Sequence, residues 1–243
     1  MVQATMMARR RNPDAARAAR AAHAAAQLAA DEDQPASAAA RVLRSHRLAD
    51  TDEGHAAALL ALMAPPPGAL VADLGCGCPD AAPLMRSARP DLSFLLVSRN
   101  RSQFQHLPMG EGYRQVRSGL QRLALPSCIV DGCVALGTLC QVGLPLALLE
   151  AARITRPGGF LLVHDFERLD GDNAGLEHLF SARVWPRADF ADMAARAGWV
   201  PGQPVVVPAG AVVWPPDDPA HAGALSGLVP VVWRLVRRYR VPV

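Results

Sequence analysis

The run Val71-Ala72-Asp73-Leu74-Gly75-Cys76-Gly77-Cys78-Pro79 carries the clearest chemical signal in this 243-residue chain. An apolar stretch ends in an acid, and glycines follow at alternate positions. This pattern predicts a buried strand over 69–74, a tight turn, and a helix starting near Pro79. Glycines at 75 and 77 let the backbone bend and let a ligand lie against it. Strand, turn and helix N-terminus together present backbone N–H groups at a crevice, an arrangement that binds nucleotides. The third glycine of the dinucleotide fingerprint is missing, and Cys78-Pro79 follows instead. His164-Asp165 is a second candidate pair, expected at the carboxyl end of a strand, where active sites of such sheets gather. Histidine titrates near neutrality and suits a general base; the alternative is a pair that caps or fixes a loop.

These residues need a scaffold. From Ala69 onward strand and helix signals alternate, which predicts a parallel α/β sheet. Strands are expected at 69–74, 93–98, 113–117, 129–136 and 159–165, and helices at 81–87, 101–106, 145–155 and 187–196. Ahead of them, Asp50-Thr51-Asp52-Glu53 offers a capping-box-like start to a short apolar helix over 55–63. Two apolar runs, 204–207 and 211–214, flank Ala209-Gly210 and read as a hairpin at the sheet edge. Residues 1–40 form an Ala/Arg-rich arm with one expected helix, residues 41–215 the main domain, and residues 216–243 a C-terminal tail segment. The arm and the tail are the candidate surfaces for a protein partner or self-association.

Composition bounds the chemistry. Hydrophobic residues make up 51%, enough for a sizeable core, and the net charge of +3 gives no strong pull toward nucleic acid or membrane. All 25 basic residues are arginine, which excludes lysine Schiff-base and P-loop lysine chemistry. The five cysteines are odd in number, arguing against a disulfide framework and for a reducing, cytoplasmic setting. Cys76-x-Cys78 has no second pair at zinc-like spacing, so no metal is expected. No apolar run is long enough for a transmembrane segment.

Asp-x-Gly-x-Gly after a strand resembles motif I of the class I methyltransferases that use S-adenosylmethionine (SAM). The rest of the chain extends that resemblance. About 20 residues on, where a nucleotide-binding fold places an acid on the ribose, the sequence reads Leu95-Leu96-Val97-Ser98-Arg99-Asn100. Ser98 takes the acid's position and offers weaker bonds than a carboxylate. Arg117-Ser118-Gly119-Leu120, followed by Leu125-Pro126, resembles the loop whose acid faces adenine, again with serine near the acid's place. Ile129-Val130-Asp131-Gly132-Cys133-Val134 resembles the family's fourth strand. After it come Leu136-Gly137-Thr138-Leu139 and then Cys140-Gln141, where relatives carry a His or Asn pair. Leu149-Glu150-Ala151-Ala152-Arg153-Ile154-Thr155-Arg156-Pro157-Gly158-Gly159 resembles the family's helix and Arg-Pro-Gly-Gly turn. Ala197-Gly198-Trp199 resembles its later helix end. The resemblance spans 69–199.

It implies an α/β, Rossmann-like, seven-stranded and mostly parallel sheet with flanking helices, six strands parallel and one antiparallel, in addition to the N-terminal helical arm. It implies SAM across the carboxyl ends of the first two strands, contacted by Asp73, Leu74, Gly75, Cys76, Gly77, Ser98, Arg99, Ser118, Gly119, Leu120 and Leu136. The implied activity is methyl transfer to a small-molecule acceptor. Methyl transfer from a sulfonium relies on alignment more than on acid–base help, so no catalytic residue is assigned. No Asn/Asp-Pro-Pro-Tyr/Phe motif appears and aromatics are 5%, which argues against a nucleic-acid substrate. The alternative function is a degenerate methyltransferase-like scaffold with an interaction or assembly role, favoured by the two missing acids.

Overall fold

Thr51 sets where the ordered core begins. In the computed structural model, which describes residues 47–77, 81–207 and 227–239, its side chain accepts the amide of Gly54 at 3.0 Å and caps helix α1 (Asp52–Met63). Asp52 and Glu53 add negative charge to the positive end of that helix. Ala56, Leu59 and Met63 share one buried face. The N-terminal arm expected over 1–40, and the helix start expected at Pro79, lie outside the described residues.

The strands are β1 (Leu70–Leu74), β2 (Ser93–Ser98), β3 (Tyr113–Arg117), β4 (Val130–Leu136), β5 (Thr155–Arg168), β6 (Trp199–Pro201), β7 (Val205–Val206) and β8 (Leu228–Arg237). Helices α2 (Ala81–Ala88), α3 (Leu144–Ile154), α4 (Ala174–Phe180) and α5 (Arg187–Arg196) complete the set with α1. The strand order is β3-β2-β1-β4-β5-β8-β6, with β7 paired to β8 off this path. β1 to β5 are parallel, and β8 runs against β5, β6 and β7. The main path therefore carries the expected seven strands with one reversed, and β7 makes the sheet eight-stranded.

Helices cover both faces. Leu59, Met63, Met85 and Phe94 form the core on the α1–α2 side. Leu148, Ile154, Trp199 and Trp233 form it on the α3–α5 side. Burying each such side chain contributes about 2 kcal/mol. Trp199 also donates its indole N–H to the Leu148 carbonyl at 3.0 Å, so the large ring enters the core without an unmet donor.

Several expectations need correcting. Within the tail segment expected over 216–243, the described residues are part of the domain: β8 lies inside the sheet between β5 and β6. None of its residues is exposed, and Val231 to Trp233 are buried at its centre, which suits a strand inside the sheet. Pro230 lies within this strand, in register with Phe166, and its carbonyl accepts the Val207 amide at 2.9 Å. Val205–Val206 pairs with β8, and the other run of the expected hairpin, 211–214, lies outside the described residues. The helix expected at 101–106 is a short 3-10 turn, Arg101–Gln105, and α4 was not expected at all. β5 runs well past Asp165, ending at Arg168.

Candidate functional site at the carboxyl edge

The chain fills β1, β2 and β3 outward and then crosses to β4 on the other side of β1. That reversal opens a crevice outside the carboxyl ends of β1 and β4. Gly75 (φ 69°) and Gly77 (φ 53°) turn the chain there in the left-handed region, which side-chain-bearing residues avoid. The amides of Gly75 and Cys76 both donate to the Val97 carbonyl, at 2.9 and 3.0 Å, and tie the turn to β2. Thr138 arrives from β4 and packs directly on the turn. A Cβ at Gly75 would stand 2.2 Å from its methyl, and its hydroxyl donates to the Gly75 carbonyl at 3.2 Å. Asp73, buried at 3% exposure, lies beneath. Leu74 and Cys76 belong to the cores on opposite faces.

The two serines at the acid positions are engaged locally. The Ser98 hydroxyl donates to Gln103 Oε1 at 2.6 Å and accepts the Asn100 amide at 3.1 Å. Ser118 Oγ accepts the Ala124 amide at 2.9 Å and donates to the Arg122 carbonyl at 3.0 Å. Each hydroxyl thus fastens the loop that follows its strand. Leu120 is buried in the α3–α5 core, Leu136 packs toward the α1–α2 side, and Gly119 faces open space.

A cleft of about 390 Å³ lies on this edge, walled by Arg99, Gln121, Cys140, Gln141, Glu177 and Arg183. Arg99 is the one residue of the expected cofactor set that walls it. Cys140 and Gln141, singled out in the loop after β4, also wall it, whereas Gln121 was missed as a site residue, its only signal being polarity within the loop after β3. A larger depression of about 700 Å³ lies at Arg122, Glu150 and Arg153. Two of its three charges are already matched: Arg153 grips both Glu150 oxygens at 2.8 Å and also holds the Leu123 and Leu125 carbonyls. We read it as a staple between α3 and the loop after β3.

The strand separates His164 from Asp165. Successive side chains of β5 point to opposite faces. Asp165 accepts the Cys140 amide at 3.1 Å and the Phe166 amide at 2.9 Å, which fixes the loop after β4. Burial pushes its carboxyl up to about 6, while those amides pull the other way. His164 faces α1, where its ring lies 6.3 Å from that of His55. Burial, then the Arg47 charge, lowers His55 to about 4. The two residues therefore do not form an acid–base pair, and the loop-fixing role fits Asp165. Burial pushes the Cys133 thiol up to about 12 and Cys140 well above the ordinary thiol value, so neither is a ready nucleophile. Among the described residues no three His, Cys, Asp or Glu side chains gather as a metal site, and no helix is long and apolar enough to cross a membrane.

Further out on β5, Glu167 is held by Arg187 through two hydrogen bonds, and Arg168 is buried at 7% exposure. Both were missed because the strand was expected to end at Asp165. The alternation of His164, Phe166 and Arg168 against Asp165 and Glu167 was the available signal.

The fold as a whole has counterparts among solved structures. This is the class I methyltransferase fold. A geranyl diphosphate methyltransferase in complex with SAM superposes with a TM-score of 0.65 at 15% identity, covering 76% of this chain and 85% of that one. A putative sarcosine dimethylglycine methyltransferase from Galdieria sulphuraria gives 0.63 at 13% identity, covering 76% and 84%. The [4+2]-cyclase SpnF gives 0.62 at 15% identity, covering 76% and 81%. These likenesses concern the fold, and the cyclase among them is a reminder that this scaffold carries more than one reaction. No protein-family model matches the sequence, and no curated protein matches it.

Proposed function

We propose that this protein binds SAM at the carboxyl edge of β1 and β2 and transfers its methyl group to a small-molecule acceptor. The observation that carries the reading is the Asp73-to-Gly77 turn at the topological crossing, beside the cleft walled by Arg99, Gln121 and Gln141. The fit to the cofactor is one of backbone and shape. Gly119 leaves open space beside the β3 loop, but no carboxylate stands at the ribose or adenine position. SAM supplies an electrophilic methyl group when bound. The chain's own residues would orient it: the glycine turn by close approach, the β2–β3 loops by enclosing the adenosine end, and the loop after β4 by lining the path to the acceptor. Support for a small-molecule acceptor comes from neighbours named for geranyl diphosphate and sarcosine dimethylglycine.

A second reading, a methyltransferase-like scaffold, is favoured by one set of contacts. Ser98 and Ser118 are bonded within their loops, and Thr138 fills the space above Gly75. Calorimetric titration with SAM and with its demethylated product separates the two. Micromolar binding abolished by Asp73→Ala is the result expected of the enzyme. No heat up to millimolar ligand would leave the scaffold.

A further inference from the structure

Three arginines of this chain hold carboxylates in the same way. Arg89 grips Asp91, Arg153 grips Glu150 and Arg187 grips Glu167, each through Nε and Nη2. That edge of the guanidinium matches two oxygens of one oxyanion. Arg168 is the exception. Its side chain is more deeply buried than any of those three, at 7% residue exposure. Its Nη1 donates to the Asp170 carbonyl at 3.0 Å, while Nε and Nη2 are enclosed without a hydrogen-bond partner among the described residues. No carboxylate pairs with it among the described residues. Adjacent Glu167 points to the other face and belongs to Arg187. Asp170 lies against Gly227.

The position of Arg168 is informative. β4 ends level with His164, whereas β5 and β8 continue as a paired ribbon to the Arg168–Leu228 pair, with β7 beside β8 at Val231 and Trp185 bridged to β5 at Glu167. The ribbon therefore rises beyond the carboxyl edge beside the site. Arg168 shares a face with His164 and Phe166, the face that looks toward α1 and His55. The titratable neighbours there, His55 and His164, bring no negative charge. A guanidinium is always protonated, and a buried ion without a counter-charge or full hydrogen bonding is strongly unfavourable. A matching group from outside the chain resolves that conflict.

We propose that the Nε–Nη2 edge of Arg168 binds an oxyanion, a carboxylate or a phosphate, and that this is the acidic group of the acceptor. Only the word acceptor rests on the methyltransferase reading; anion binding does not. The acceptor is then a small acid or phosphoester, anchored at the ribbon with its reacting atom turned toward the crevice.

The test uses the full chain at constant ionic strength, with chloride exchanged for inorganic phosphate or for acetate up to tens of millimolar. Thermal unfolding of the parent should rise saturably with one of them. Phosphate alone assigns a phosphoester, and acetate alone a carboxylate. In Arg168→Met the response should vanish, while the melting temperature in chloride stays equal to or above the parent's. Arg168→Lys, which keeps the charge but loses the bidentate edge, should weaken the apparent anion affinity at least tenfold and serves if the Met variant fails to fold. No response in the parent, or the same response in the variants, overturns the proposal. SAM titration of the same proteins keeps the two readings apart. SAM binding without an Arg168-dependent anion response sinks this inference alone. An anion response without SAM binding sinks the methyltransferase reading alone.

Discussion

At the outer ends of β2 and β3, Ser98 and Ser118 hydrogen-bond inside their own loops. At the outer end of β5, Glu167 is buried against one arginine and Arg168 is buried without a carboxylate. Both ends lie on the same edge of one sheet, yet the first has neutral, locally satisfied groups and the second has concentrated charge. The contrast teaches where selectivity for charge belongs. In the methyltransferase reading, the β1–β3 half offers backbone and shape to the adenosine end, and the β5–β8 ribbon offers charge to the acceptor.

The comparison breaks most visibly at the Glu167–Arg187 pair, whose carboxylate is buried and whose guanidinium is half exposed. Arg187→Ala leaves Glu167, 2% exposed, without its counter-charge and should give the largest loss of stability in urea unfolding. Arg156→Ala, which removes a more exposed pair with Asp131, should change stability by less than about 1 kcal/mol. Equal effects would mean that the outer end of β5 is not the enclosed environment described.

The glycine turn comes next. Gly75→Ala combines a left-handed φ with a collision against Thr138 and should be destabilising by about 2 kcal/mol. Thr138→Ala removes the methyl and hydroxyl and should restore about 1 kcal/mol of that in the double variant. Strict additivity would show that Thr138 does not rest on the turn.

Ser98→Asp sharpens the contrast from the other side. A carboxylate at that position should tighten SAM binding about tenfold, or roughly 1.4 kcal/mol, through charge-assisted bonds to ribose. Unchanged affinity would argue that ribose does not sit at the end of β2.

The smallest expected effects are in pH dependence. The folded-state value of His55 is depressed to about 4, so its contribution to stability is present above about 6.5 and is lost as pH falls toward 4. That of Asp165 is raised to about 6, so its contribution is present below about 4 and is lost as pH rises toward 6. The two oppose each other across one window. Relative to the parent, His55→Asn should gain stability as pH falls from 6.5 to 4, and Asp165→Asn should lose it. Parallel curves for parent and variants would remove both assignments.

How much of this was legible in the sequence followed from how local each signal is. The spans of β2, β3 and α5 are marked by alternation, glycine and proline within a few residues, and the sequence reading places all three. β8 is not so marked: it lies about 60 residues beyond β5, and its pairing with that strand exists only once the sheet has assembled. The serine positions were readable, but their engagement was not, since Gln103 Oε1 and the Arg122 carbonyl become partners only once the loops have folded back. Arg168 was hidden by its neighbours. The strand was expected to end at Asp165, so Glu167 and Arg168 fell beyond it, although β5 carries both.

The account centres on a ligand at the crossing of β1 and β4. Amide NMR of the full chain during SAM titration tests this directly. The account predicts saturable shifts at Gly75, Cys76, Gly77, Ser98, Ser118 and Gly119. Silence at those amides up to millimolar SAM, or saturable shifts confined to other parts of the sheet, would contradict it.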